Sequence, residues 1–471
     1  MKQYSRKEFL HIATLANIAL FAAPLSGFAK KWLPNNSENV VYYQKNDKQY
    51  NDFRQGFNKR IDKFPAIIAV CKNETGVSEA VKFAIANKWP ITVKSGGHCM
   101  EGTSVNDGGM VINLSLMNKV EWIDSNTLNI QPACLLKDLY AEIIPKGRII
   151  PGGSCAGVGM GGLTLGGGYG LLSRQFGLTC DSLLDVTMVD GNGNIVHSAN
   201  DKNLLWACKG GGNGNFGIIT NMKFTAHKAP AIMQSWRFST FKTDKTKAKN
   251  IFENWFKITQ TLPLDCFSTC LQNETTTYIL LTSTNVSTGA INSIIENLSA
   301  HADKTTHSKP QPLAKALKVY FGETKPLFFK NASAGLYKSF ADINDNIEAV
   351  LDKVINSDGM IYQINTVGGH VQNPLFEKNA AFSNRPFNYF SELQTYWTDD
   401  EKGKKLMTEF ADIQQMFAKN GTMPQYRNYP DVNFKDWENA YYGKNYTALQ
   451  KIKAKYDADN NIRSIQSIKL T

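Results

Sequence analysis

The sequence predicts an α+β protein in which a glycine-rich, ligand-binding region is followed by a second region built on an antiparallel sheet. Three observations carry this reading. Short apolar runs alternate with a strongly periodic helix before about residue 228; glycine gathers in three clusters, at 95–102, 152–170 and 210–217; and from about residue 229 longer strand patterns alternate with helical ones.

Taken in order, residues 74–88 place Val77, Ala80, Val81, Ala84 and Ile85 on one helical face, and Trp89-Pro90 ends the run. Ile91-Thr92-Val93-Lys94 reads as a buried strand that breaks into Ser95-Gly96-Gly97-His98, and Val111-Ile112-Asn113-Leu114 as a second strand. Residues 151–177 are the most glycine-dense stretch of the chain. Each glycine costs a helix about 1 kcal/mol relative to alanine, so no ordinary helix is expected there. Leu183 to Val189 and Ile195-Val196-His197 flank Asp190-Gly191-Asn192-Gly193, a hairpin signal. Beyond 229, residues 276–284, 361–367 and 389–397 read as strands, with helices near 244–260, 288–301 and 401–419 and a helix-rich final forty residues.

A chain of 471 residues has room for two or three domains, and its 42% hydrophobic and 20% charged content excludes a disordered or collagen-like chain. The net charge of +11 comes from basic residues scattered among acids, as in the KTDKTKAKN stretch, which reads as a solvated surface; no nucleic-acid partner is expected. The first 29 residues combine Lys2, Arg6 and Lys7 with an apolar stretch and small residues before Lys30, the layout of an export signal. Ser5-Arg6-Lys7-Glu8-Phe9-Leu10 is similar to a twin-arginine signal with lysine in place of the second arginine, so a periplasmic or secreted location is expected. About 14 interrupted apolar residues are too few for the ~20 of a stable membrane span. The eight cysteines suit an exported protein with a few bridges; Cys266 and Cys270 could form a local pair, though buried free thiols explain them equally well, and no spacing suits a metal.

Gly157, Gly159 and Gly162 satisfy G-x-G-x-x-G, with Asp181 about 20 residues on. A dinucleotide turn must follow a strand and open a helix, whereas here Pro151-Gly152-Gly153 precedes and Gly166-Gly167-Gly168 follows, so a nicotinamide enzyme is disfavoured. Three glycine clusters instead suit backbone passing close to a flat, phosphorylated ligand, a large nucleotide cofactor. His98 and Cys155 stand inside the first two clusters. Singly they read as a hydrogen-bonded loop histidine and a buried free thiol.

The strings Ser95-Gly96-Gly97-His98-Cys99-Met100-Glu101-Gly102, Cys155-Ala156-Gly157-Val158-Gly159 and Leu165-Gly166-Gly167-Gly168-Tyr169-Gly170 together resemble the berberine-bridge-enzyme-like branch of the vanillyl-alcohol-oxidase flavoproteins. Trp206 to Ile218, with its glycines and Gly217, is similar to the family's second phosphate-side loop; Tyr426-Arg427-Asn428-Tyr429-Pro430-Asp431 and Trp437 to Asn445 are similar to its closing signature. Tyr456 to Ile462 departs from the family's usual Asp-Pro and final Phe, a change expected at a surface helix end.

The resemblance implies a two-part FAD-binding domain formed by N- and C-terminal segments (42–228 and 426–471) around a central substrate domain (229–425) with an antiparallel sheet. It implies FAD bound covalently at both His98 and Cys155, with Ser95, Gly96, Gly97, Gly102, Val158, Gly159, Gly162, Gly168, Gly217 and Ile218 around the cofactor. The expected reaction is oxidation of an alcohol or amine carbon of a sugar, oligosaccharide or secondary metabolite, with dioxygen reduced to hydrogen peroxide. Tyr429, Tyr169 and Tyr426 are the candidate bases, Tyr429 first; Glu392 matches the place of a carboxylate in some relatives, although an exposed strand glutamate is the favoured account of it. Val158 resembles the family's oxygen gate, where valine goes with oxidases and bulkier residues with dehydrogenases. A flavin dehydrogenase using another acceptor, or a non-catalytic sugar-binding protein on the same scaffold, are the alternatives.

Overall fold

In the computed structural model, which describes residues 34–286, 288–419 and 424–471, a four-stranded sheet opens the chain. Ile67–Cys71 and Ile91–Lys94 both run parallel to Met110–Asn113 between them, and Val40–Tyr43 adds antiparallel at the edge. The buried runs Ile67–Cys71 and Met110–Asn113 are apolar almost throughout, as parallel strands covered on both faces require. The periodic helix Glu74–Ala86 packs Val77, Ala80, Val81 and Ala84 into the same core and is capped by Asn73, whose side chain accepts from the Gly76 amide. Asn36–Thr471 forms one compact unit.

A five-stranded sheet follows, with Gly217–Thr225 at its centre between Thr127–Ile130 and Leu183–Asp190. The expected hairpin is present: Leu183–Asp190 pairs antiparallel with Ile195–His197. The third sheet has eight strands, all paired antiparallel, from Ile232–Thr240 to Tyr389–Trp397. Helices Lys245–Thr259, Ile347–Ile355 and Asp400–Ala418 cover one face of it and share a core with Cys270, Leu281, Ile364 and Leu393. The expected α+β class with a central antiparallel sheet is therefore observed.

The C-terminal segment returns to the first sheet. Ile91 donates to the Asn461 carbonyl and accepts from the Arg463 amide, at 2.9 and 3.1 Å. The departure from the family pattern at 456–462 falls, as expected, at the end of the helix Tyr446–Tyr456 with Ala458 and Asp459 exposed, but its last residue, Ile462, is buried in the core of the first sheet.

One further expectation is corrected, and for the cysteines one of the two open alternatives is observed. The glycine-dense stretch does contain short helices, Met160–Leu165 and Ser173–Phe176. Close packing overrides propensity here: a Cβ on Gly161 would come within 2.9 Å of the Pro132 ring, so only glycine lets this turn sit against its neighbour. All eight cysteines are free thiols; Cys266 and Cys270 lie on one strand, Cys266–Asn273, without bonding. No helix among the described residues is long and apolar enough to cross a membrane, and none holds a metal-ligand cluster. The expected export signal lies outside the described residues.

Candidate active site

The strand Ile91–Lys94 delivers its chain directly into Ser95-Gly96-Gly97-His98. Lys94, buried beneath this turn, donates to the carbonyls of Phe53 and Gln55 and so fastens the 53–57 segment under the loop. The Phe57 amide then donates to the Gly97 carbonyl at 2.9 Å, and its ring stacks on His98 with centroids 4.4 Å apart and planes 13° from parallel. Burial lowers the His98 pKa to about 4, leaving a neutral imidazole with a free nitrogen lone pair at any physiological pH.

The second cluster meets the first backbone to backbone. A Cβ built on Gly96 would lie 2.4 Å from the Gly159 nitrogen, and one on Gly159 2.6 Å from the Gly96 nitrogen. Only glycine at both positions permits this approach. The contact brings Cys155 and Val158, on the turn preceding Gly159, into the same cleft as His98. Burial, with the nearby Glu392 charge, raises the Cys155 thiol to about 11.

Ser95, Gly96, Gly97, His98, Cys155, Val158, Gly159, Gly162, Gly217, Tyr169, Tyr426 and Tyr429 all line this cleft. Four residues singled out from the sequence do not: Gly102, Gly168, Ile218 and Glu392. Gly102 packs on Ile61, and Gly168 holds a left-handed turn (φ 82°) against Thr179 that sets up Tyr169. Ile218 points into the core with Val189 and Ile462 because strand alternation turns its neighbours Gly217 and Ile219 toward the cleft. Alternation along 217–219 would have assigned Ile219 to the cleft from sequence.

Three tyrosines cluster at one end. The Tyr169 ring lies 5.0 Å from Tyr426 and 5.8 Å from Tyr429, both edge to face, and the Tyr169 hydroxyl accepts from Asn365 Nδ2 at 3.1 Å. Burial and the Glu392 charge push the Tyr169 and Tyr429 phenols well above the ordinary tyrosine range. The Tyr426 hydroxyl instead accepts from the amides of Gly168 and Tyr169 and from Asn428 Nδ2, at 3.0, 3.3 and 3.1 Å. It clamps the glycine loop and has little accepting capacity left for a substrate proton.

Glu392 is not the exposed strand residue that was weighed: it is 5% exposed, behind the tyrosines. Asn331, Gln363 and Asn365 donate to its carboxylate at 2.8, 3.0 and 3.3 Å. Desolvation outweighs the opposing side-chain hydrogen bonds, from Asn331 and Asn365 among them, and raises its pKa to about 7. The three amides were missed by sequence reading. Their signal was the alternation of Gln363 and Asn365 along Met360–Thr366, opposite Glu392 in the register of the neighbouring strand.

Also missed was a buried ion network at the site's edge. Lys330 Nζ lies 2.7 Å from Glu101 and 3.0 Å from Asp431, and Arg60 reaches Glu101 at 2.7 Å. It ties the His98 loop and the Tyr429 segment to the strand Phe328–Tyr337.

Comparison with known proteins locates this cleft in a known setting. A family model for an FAD binding domain matches residues 65–199, and one for berberine and berberine-like proteins matches residues 425–469. The chain is 29% identical over 440 residues to an uncharacterized FAD-linked oxidoreductase, YgaK, of Bacillus subtilis (strain 168), covering 90% of this chain and 95% of that one. It is 32% identical over 206 residues to glucooligosaccharide oxidase of Sarocladium strictum, covering 43% and 41% of the two chains. Among solved structures, aclacinomycin oxidoreductase superposes with a TM-score of 0.82 at 27% identity, over 92% of this chain and all of that one.

The cleft fits FAD on its own features. A Cβ on Gly162 would meet nothing nearer than 3.9 Å, and one on Gly214 nothing within 4 Å, so these loop glycines leave space on the cleft side. The Thr92 hydroxyl on its wall is buried without a protein partner, and no carboxylate lines it among the described residues. The protein binds FAD.

Proposed function

Because this chain is a berberine-bridge-enzyme-like FAD-linked oxidoreductase of the vanillyl-alcohol-oxidase flavoprotein superfamily, we propose that it is an oxidase that holds its flavin through both His98 and Cys155. The observation that carries this is the Gly96–Gly159 contact, which sets a neutral imidazole and a thiol on two loops facing one cleft. In this reading residues 42–228 and 426–471 make the FAD domain around a substrate domain at 229–425, and export through the N-terminal segment delivers the enzyme to the periplasm or medium.

His98 and Cys155 would hold FAD, which would supply a two-electron acceptor for hydride from the substrate carbon, with dioxygen as the final oxidant and hydrogen peroxide as its product. The chain's own residues handle the proton. Tyr429 lines the cleft and takes the substrate hydroxyl or amine proton at its Oη as its own proton leaves toward the buried cluster of Tyr169 and Glu392, whose carboxylate ends as the carboxylic acid. With a pKa of about 7, Glu392 is the member of this cluster able to hold or release a proton near neutrality, and it is the final proton store. Asn365, bonded to both Tyr169 and Glu392, fixes their relative orientation.

The similarity to glucooligosaccharide oxidase supports a hydroxyl-rich substrate, a sugar or polyhydroxylated metabolite. Val158 leaves the small side chain beside Cys155 that passage of dioxygen requires. Anaerobic mixing with a panel of oligosaccharides and hydroxylated secondary metabolites tests the reading: at least one should bleach the flavin, and admitted air should restore it with one peroxide per turnover. Bleaching without peroxide would make the protein a dehydrogenase.

A further inference from the structure

Arg427 is 3% exposed and lines the cofactor cleft. Its Nε donates to the Tyr442 hydroxyl at 2.9 Å, and its guanidinium lies 5.4 Å from the Tyr441 ring centroid. Its two terminal nitrogens have no protein acceptor among the described residues, and no carboxylate lines the cleft with it. A guanidinium taken out of water without an anion is unfavourable, so the arrangement implies an anionic ligand.

The surroundings indicate which anion. The Tyr442 hydroxyl that holds Arg427 also accepts from Asn215 Nδ2 at 3.4 Å and lies 2.5 Å from where a Cβ on Gly212 would stand, which places Arg427 beside the 210–217 glycine cluster. The residue after it, Asn428, docks on the Leu163 carbonyl and faces Asn213. Loops rich in free amides beside a buried cation suit phosphate oxygens, and the only permanent charges on FAD are those of its diphosphate. The other cleft arginine, Arg463, is exposed and bonded to the Asn460 carbonyl.

We propose that Arg427 pairs with the diphosphate of FAD and is the electrostatic anchor of the cofactor's nucleotide half. This rests on the FAD-binding reading of the cleft.

The test uses the full chain made flavin-free in a riboflavin-starved host, titrated by calorimetry with ADP, with adenosine and with riboflavin. R427Q should weaken ADP at least tenfold and leave adenosine and riboflavin within twofold of wild type, since loss of a hydrogen bond to a charged group costs that much or more. R427K, which keeps the charge without the planar fork, should fall between. Holoenzyme from ordinary cells should show flavin content reduced in R427Q and largely kept in R427K. Unchanged ADP binding in R427Q overturns the proposal, and so does equal weakening of ADP and riboflavin, which would assign Arg427 to the flavin ring or to the fold. Wild-type chain that binds neither ADP nor riboflavin, and is colourless from ordinary cells, would instead remove the FAD reading on which the proposal stands.

Discussion

Asn365 donates to the Tyr169 hydroxyl at 3.1 Å and to the Glu392 carboxylate at 3.3 Å, joining the central sheet to the glycine loop through one amide group. Tyr169 and the Glu392 carboxylate are therefore held as one unit across two parts of the chain.

Replacing Tyr429 or Tyr169 tests the proton transfer. Tyr429→Phe and Tyr169→Phe should each slow flavin reduction by about 10² or more, the range for loss of a positioned proton acceptor, with flavin content unchanged. Stopped-flow reduction under anaerobic conditions reads this. Rates within a few-fold of wild type in both variants would move the proton transfer elsewhere.

Glu392 should set the acid limb of the reaction. Its carboxyl must be ionised to store the proton, so flavin reduction should decline as pH falls below about 7. Glu392→Gln should be slow at every pH and show no such limb. A wild-type profile flat from pH 5 to 8 speaks against the assignment.

The same residue predicts a stability change. Glu392 holds its proton more tightly in the folded chain, with a pKa of about 7 against an ordinary 4.5. The fold is favoured while the group is protonated, and this contribution is lost as pH rises from 4.5 to 7, by about 3 kcal/mol. Glu392→Gln should therefore gain stability relative to wild type at pH 8 compared with pH 4, measured by denaturant unfolding. An identical difference at both pH values would contradict it.

Val158 gives the oxygen prediction. Reduced enzyme mixed with aerated buffer should reoxidise rapidly, and Val158→Leu should slow that step while leaving substrate reduction and flavin content intact. Slow reoxidation of the unmodified protein would identify another electron acceptor.

Lys330 gives a structural one. It is the shared partner of Glu101 and Asp431, each otherwise deprived of a counter-charge except for Arg60 at Glu101. Lys330→Met leaves buried carboxylates under-compensated and should cost about 3 kcal/mol in urea unfolding. A loss under 1 kcal/mol would mean that water or Arg60 replaces it.

Much of this was legible in the sequence where local chemistry and local structure coincide. His98 and Cys155 sit in glycine strings whose backbone freedom is needed at the point of contact between Gly96 and Gly159, and the helix at Glu74–Ala86 and the strand at Tyr389–Trp397 follow from periodicity alone. What was not legible depends on contacts far apart in the chain. The burial of Glu392 needs Asn331, Gln363 and Asn365 from neighbouring strands, and Lys330 is 229 residues from Glu101. The short helix at Met160–Leu165 survives its glycines only because Pro132 lies against it. Arg427 stands between Tyr426 and Tyr429 in the sequence, and only the fold places its side chain in the cleft.

The central claim is the double attachment of flavin at His98 and Cys155, and mass mapping of peptides from the denatured, precipitated protein tests it most directly. Both the His98 and the Cys155 peptide should carry flavin mass, the pellet should stay yellow, and His98→Ala or Cys155→Ala should each leave the other link in place. A colourless pellet with all FAD in the supernatant would contradict the account.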